Sequence, residues 1–123
     1  MALDVLIVDD SAAIRKILQR VLMQADVTLG SVYEASDGQE ALDKLKQASV
    51  GLILSDINMP NMDGLELLGR IRADAAWKDV PVLMITTEGS QNKVMQALQL
   101  GANGYVKKPF TADQIKEKLV AIL

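Results

Sequence analysis

The chain lacks histidine and cysteine altogether, and among its 123 residues it holds only four aromatic side chains, one Trp, two Tyr and one Phe. Without histidine there is no imidazole general base, no Ser-His or Cys-His nucleophile pair and no nitrogen-ligated zinc site. Without cysteine there is no disulfide framework and no thiol redox chemistry. Any reactive centre must therefore be built from oxygen ligands and lysine. Long apolar runs are missing too. Val5-Leu6-Ile7-Val8 is closed by Asp4 and Asp9, far short of the roughly 20 residues that span a bilayer. It is also too short and too acidic at its flanks for a secretion signal, so a cytoplasmic protein is expected. Nor is there an excess of positive charge. The net charge is −3, which argues against non-specific nucleic-acid binding.

The length suits one domain that buries about two thirds of the surface its unfolded chain exposes. Five short, β-branched apolar segments alternate with five longer segments of helical period, the pattern of a parallel sheet covered by helices on both faces. The strands are expected at Asp4–Val8, Ser31–Ala35, Leu52–Ser55, Val80–Ile85 and Gly104–Val106. Ile14, Ile17, Leu18, Val21 and Leu22 form one stripe of a helix from about Ser11 to Ala25, with Ser11 as its N-cap. Ser36 with Gln39 suggests a capping box for a helix burying Ala41, Leu42 and Leu45. A third helix follows Asp63-Gly64 with Leu67, Leu68 and Ile71 inward. A fourth runs from about Ser90 to Leu100 and stops at Gly101, which suits a left-handed C-terminal position. Thr111 caps a fifth with Ile115, Leu119 and Ile122 on its core side.

Ligands of open parallel sheets gather beyond the carboxyl ends of the strands. Those ends carry Asp9 and Asp10, then Asp56, then Thr86 and Thr87, then Lys107 and Lys108. Three carboxylates drawn together repel one another unless a cation intervenes, and an all-oxygen site with few protein ligands suits Mg²⁺. A carboxylate can also attack phosphorus to give an aspartyl phosphate, with Lys108 and the Thr86 hydroxyl placed to meet phosphoryl oxygens. Taken singly, Asp9 or Asp10 reads as a turn former or helix cap. Taken as a set on one rim, Asp9, Asp10, Asp56, Thr86 and Lys108 read as a site. Strand alternation aims Lys107 away from Lys108, toward solvent, with no chemical role.

Along its whole length the chain resembles a response-regulator receiver domain. The resemblance is carried by Val8-Asp9-Asp10-Ser11, by Asp56-Ile57-Asn58-Met59-Pro60-Asn61-Met62-Asp63-Gly64, by Ile85-Thr86-Thr87, and by Gly104-Tyr105-Val106-Lys107-Lys108-Pro109-Phe110. Asn58 to Leu68 looks like the chemotaxis branch. The resemblance implies a doubly wound five-stranded sheet of order 2-1-3-4-5, the flavodoxin-like or CheY-like arrangement, with five helices. It also implies that Asp56 accepts a phosphoryl group from a phosphohistidine of a sensor kinase. Asp10 and Asp56 then ligate Mg²⁺ by carboxylate and Asn58 by backbone carbonyl, while Asp9 holds coordinating water. Thr86 and Lys108 contact the phosphoryl oxygens, and the Lys108-Pro109 bond is cis. Asn58 and Glu88 match the two variable positions that set phosphoryl lifetime. Capture of the Thr86 hydroxyl lets Tyr105 turn inward and shifts the surface made by helix four, strand five and helix five. Met59, Met62 and Met95 read as loop packing and core.

The sequence departs from the best-known chemotaxis members in two places. Thr87 adds bulk beside the pocket, and helix four opens Gly89-Ser90-Gln91-Asn92 without a lysine pair. A haloacid-dehalogenase-type enzyme would need Asp-x-Asp after the first strand. A flavodoxin would need phosphate donors there and aromatics to stack a flavin. A vestigial binding module would lack site residues that are all present. Because the chain ends just after the fifth helix, one receiver domain over residues 1–123 with no attached effector is expected, acting as a monomeric signalling protein and not as an enzyme for an outside substrate. Its expected partners are a chemotaxis-type histidine kinase, an output protein such as a flagellar switch component, and a phosphatase. The alternative is a phosphorelay intermediate or phosphate sink that passes the group to another histidine protein. Acidity is concentrated early: residues 1–62 hold nine acidic against five basic side chains, and residues 63–123 seven against eight.

Overall fold

A computed structural model describes residues 2–25, 28–87 and 91–123, with Gln91 described by its backbone only. The chain alternates β1 (Leu3–Val8), α1 (Ala12–Gln24), β2 (Leu29–Ala35), α2 (Gly38–Gln47), β3 (Leu52–Asp56), α3 (Gly64–Ala73), β4 (Val82–Thr86), α4 (Gln91–Leu100), β5 (Gly104–Lys107) and α5 (Ala112–Ile122). The strands are all parallel in the order β2-β1-β3-β4-β5, as the resemblance implied. Alternation along the strands splits the core into two layers. Leu6, Val8, Ile53 and Met84 pack on the side of α2, α3 and α4, whereas Val5, Ile7, Leu54 and Ile85 meet α1 and α5. Central β3 and β4 are buried along their whole length. This requirement to be apolar on both faces made them readable as continuous runs.

Five expectations shift. β2 starts at Leu29 and not Ser31. β4 starts at Val82 and not Val80, since Pro81 has no N–H to give the ladder; its carbonyl instead accepts from Ile53. Ile17 is 44% exposed rather than in the core, because the buried stripe of α1 is narrow and centres on Leu18, Val21 and Leu22. Met95 is likewise exposed, while Met62 is buried and Met59 packs against the core. The cap of α2 lies one residue later than expected. Asp37, not Ser36, accepts the Glu40 N–H at 2.9 Å, and the Glu40 carboxylate reaches back to the N–H and hydroxyl of Ser36.

Ser11, Asp63 and Thr111 cap α1, α3 and α5, and Thr111 forms a full capping box with Gln114. In parallel βα units these capped helix starts face the same rim as the strand ends, so their positive dipole ends point toward it. Gly101 takes φ +106 after α4, as its place beyond Leu100 required. The Asp37 carboxyl is held below its ordinary value of 3.8, first by the Glu40 N–H and then by the Asn61 side-chain amide. A carboxyl lowered on folding stabilises the protein above its unfolded value and loses that contribution as pH falls through the folded one. Asp37→Ala is therefore expected to cost about 1 kcal/mol near neutral pH. The difference from wild type should shrink below pH 3.8, as read by urea denaturation at several pH values.

Candidate functional site

The register explains why the acidic side chains meet. Val8 pairs with Ser55 and Asp56 with Ile85, so Asp9, Asp56 and Thr86 each occupy the last step of neighbouring strands or the first step beyond. Carboxylate oxygens of Asp9, Asp10 and Asp56 lie within 4.8 Å of one another. Asp9 and Asp56 are buried and Asp10 is exposed. Lys108 comes over from the end of β5, anchored by its own N–H to the Thr86 carbonyl at 2.7 Å. Its ammonium stands 3.0 Å from Asp9 Oδ2 and 3.5 Å from Asp56 Oδ2. The Lys108-Pro109 bond is cis.

Asp9 is held at several points. Its N–H donates to the Ala35 carbonyl, its Oδ1 accepts from the Ser11 N–H at 2.9 Å, and its Oδ2 accepts from Lys108. Asp56 is less restrained: Oδ1 accepts the Ile57 N–H at 2.8 Å, and Oδ2 faces Lys108. Burial pushes the Asp56 carboxyl above its ordinary range; Lys108 opposes this and the neighbouring charge of Asp9 adds to it. A carboxyl that is costly to ionise in place is one that gains from a cation. The donor set is hard oxygen throughout, with one lysine already drawn between two carboxylates, and it fits Mg²⁺.

The loop after β3 is drawn tight beneath this rim. The Gly64 N–H reaches the Ile57 carbonyl at 2.8 Å, and a Cβ on Gly64 would stand 2.1 Å from the Asp56 carbonyl oxygen. Only glycine allows that approach. The loop is tied sideways to α2 by Asn61 Nδ2 on Asp37 Oδ2 at 2.8 Å and by the Gly38 N–H on the Met62 carbonyl. Asn58 is exposed and accepts from the Lys93 ammonium of α4. Thr86 is 1% exposed, and its hydroxyl donates to the Thr87 carbonyl at 3.2 Å. Beside it lies a cavity of about 200 Å³, lined by Thr86, Val94, Met95, Leu98, Tyr105 and Lys107 among others. Tyr105 is half-buried there with the Lys118 ammonium 5.6 Å from its ring centroid. Lys107 is exposed, as expected from alternation. Glu88 lies outside the described residues, as do Gly89 and Ser90.

Sequence reasoning singled out neither Arg15, whose guanidinium holds the Asp9 carbonyl, nor Lys93. Arg15 also pairs with Glu34 on β2, a contact spanning 19 residues that no local pattern announces.

The response regulator receiver domain family matches residues 5–120. The chain belongs to that family. It is 45% identical over 115 residues to chemotaxis protein CheY-3 of Vibrio cholerae, covering 94% of this chain and 87% of that protein. It is 42% identical over 119 residues to chemotaxis protein CheY1 of Helicobacter pylori, covering 96% and 94%. Among solved structures, the V. cholerae chemotaxis response regulator CheY4 superposes with a TM-score of 0.87 at 37% identity, with both chains covered completely. The phosphorylated cyanobacterial phytochrome response regulator RcpA superposes at 0.82 with 26% identity, covering 99% of this chain and 90% of that one. The chain is thus a CheY-like receiver domain of two-component signal transduction, a class of signalling proteins that generally use Mg²⁺.

Proposed function

We propose that this receiver domain is a phosphoaspartate switch in which Asp56 takes a phosphoryl group from a phosphohistidine of a chemotaxis-type sensor kinase. The observation that carries the reading is the convergence of three carboxylates with Lys108, whose ammonium lies 3.0 Å from Asp9 and 3.5 Å from Asp56. Asp56 Oδ2 attacks phosphorus, the new O–P bond forms as the P–N bond breaks, and the imidazole leaves with the electron pair. This chain has no histidine, so that imidazole belongs to the partner. Asp10, Asp56 and the Asn58 backbone carbonyl would hold Mg²⁺, with Asp9 ordering its water; when bound, the ion neutralises charge on the transferring group. Lys108 meets one phosphoryl oxygen and the Thr86 hydroxyl another. Asn58, with Glu88, controls how readily water reaches the phosphoaspartate and hence its lifetime.

The output follows from Thr86. Once its hydroxyl turns to the phosphoryl group, Tyr105 moves into the cavity it already lines, and the surface of α4, β5 and α5 shifts toward a form that binds an output partner. The chemotaxis names of the relatives favour a chemotaxis output; in this reading the phosphorylated form binds a motor-type partner in the cytoplasm and a phosphatase ends the signal. One receiver domain suffices for all of these steps.

The metal half of the reading has its own test. Three crowded carboxylates oppose folding without an ion, so Mg²⁺ at millimolar concentration is expected to raise the melting temperature. Asp10→Ala should blunt that rise while leaving the metal-free protein at least as stable. An unchanged wild-type melting curve with Mg²⁺ contradicts the metal assignment.

A further inference from the structure

The turn between β1 and α1 presents two of the three carboxylates, yet they are restrained very differently. The Asp9 side chain is buried and bonded through both oxygens, to the Ser11 N–H and to Lys108. Asp10 is exposed, so its carboxylate is aimed chiefly by its own backbone. That backbone begins at the Asp9–Asp10 peptide, a rigid plane shared by the Asp9 carbonyl and the Asp10 nitrogen. The Asp9 carbonyl accepts Arg15 Nη1 at 2.6 Å. The same guanidinium gives Nε to Glu34 Oε1 at 2.9 Å, near the end of β2. Arg15 is 16% exposed and Glu34 46%, so the cation is largely enclosed and its direction is set by the two oxygens it bridges.

We infer that Arg15 is a positioning residue for the metal site: by clamping the Asp9 carbonyl to Glu34 it fixes the peptide plane that aims Asp10 at the ion. The inference rests on the reading of this rim as a Mg²⁺-dependent phosphoacceptor. Repulsion from Asp9 and Asp56 drives the Asp10 carboxylate outward in the metal-free protein. Rotation of the Asp9–Asp10 peptide would carry the carboxylate away from the ion, and the guanidinium on the Asp9 carbonyl opposes it. Arginine suits the task because its planar fork holds two acceptors in a fixed geometry, whereas an ammonium is a rotatable point charge. Arg15 does not touch the reacting atoms; it acts through Asp10.

The test is the Mg²⁺ dissociation constant, measured by titration calorimetry on the wild type, Arg15→Ala, Arg15→Lys and Glu34→Gln. Loss of a residue that orients a metal ligand weakens metal binding by about 10- to 100-fold, and Arg15→Ala is expected at the lower end of that span. Arg15→Lys should recover part of the loss, and Glu34→Gln should show a smaller loss in a fold that is left intact. Labelling by acetyl phosphate adds a readout that a merely structural role would not move. With Arg15→Ala the rate should fall at low Mg²⁺ and return to the wild-type rate at saturating Mg²⁺, since Asp56, Thr86 and Lys108 are untouched. Mg²⁺ affinity in Arg15→Ala or Glu34→Gln equal to that of wild type overturns the inference, as does a labelling defect that saturating Mg²⁺ does not repair. A wild-type protein that fails to bind Mg²⁺ overturns instead the underlying reading of the site.

Discussion

Asp56→Asn is expected to abolish labelling of the protein by acetyl phosphate. Of the three clustered carboxylates, Asp56 alone combines burial with a lightly engaged oxygen. Asp9 has both oxygens in hydrogen bonds, and Asp10 sits exposed at the mouth. Asp56 spends Oδ1 on the Ile57 N–H and leaves Oδ2 3.5 Å from the Lys108 ammonium. An amide oxygen is a far weaker nucleophile than a carboxylate, and the chain offers no histidine or cysteine to replace it. The variant should fold at least as well as wild type. Asparagine keeps the acceptor for Ile57, and it removes one of the repelling charges. Intact-mass spectrometry reads the result: the phosphoryl increment should appear on wild type with Mg²⁺ and be absent from Asp56→Asn. An increment that persists in the variant places the nucleophile elsewhere.

Lys108→Met should show the second large effect, and it separates catalysis from stability. Methionine keeps much of the side chain's length and removes the charge. A preorganised donor aimed at developing oxyanion charge contributes on the order of 10²- to 10³-fold in rate, so labelling should slow by about that factor even at saturating Mg²⁺. Without the ion the variant leaves the Asp9 carboxylate, which is 1% exposed, without the ammonium that pairs with it. Breaking a buried ion pair from one side costs about 3 kcal/mol or more. The melting temperature should therefore fall markedly in chelator and recover much of the loss when Mg²⁺ is added, since the ion then meets the same carboxylates. Labelling within a few-fold of wild type would remove Lys108 from the chemistry, and a chelator melting curve like that of wild type would remove it from the electrostatics.

How much of this was legible in the sequence depended on whether the governing interaction was local. Asp9, Asp10, Asp56, Thr86 and Lys108 could be found because the strands before them are continuous apolar runs whose ends are easy to read, and a parallel sheet brings those ends to one rim. Ser11, Asp63 and Thr111 were legible as helix starts for a similar reason, since a cap and the N–H it satisfies are three residues apart. Ser36 misled because Asp37 beside it is an equally good cap, and the sequence does not say which of two adjacent acceptors meets the Glu40 N–H. Ile17 and Met95 misled because helical period gives the direction of an apolar stripe but not how far the sheet beneath it extends. In α1 the cover stops short of Ile17, and in α4 it stops short of Met95.

Interactions between distant segments were out of reach. The Arg15–Glu34 pair joins α1 to β2, Lys93 meets Asn58 across 35 residues, and Arg72 reaches from α3 to the Gly101 carbonyl and Asn103 Oδ1 beyond α4. Each depends on which helix packs beside which strand, and single-sequence periodicity does not carry that information. The Arg15–Glu34 and Lys93–Asn58 contacts tie segments at the rim, so the sequence revealed the reacting groups more readily than what positions them.

The central claim is that Asp56 receives a phosphoryl group from a partner's imidazole, and the most direct test is a transfer experiment with a chemotaxis histidine kinase carrying radiolabelled phosphohistidine. On mixing with Mg²⁺, label should leave the kinase and appear on the wild-type protein. It should remain on the kinase when Asp56→Asn is substituted or when chelator replaces the ion. Label that moves to Asp56→Asn as readily as to wild type, or that moves without Mg²⁺, would contradict the account.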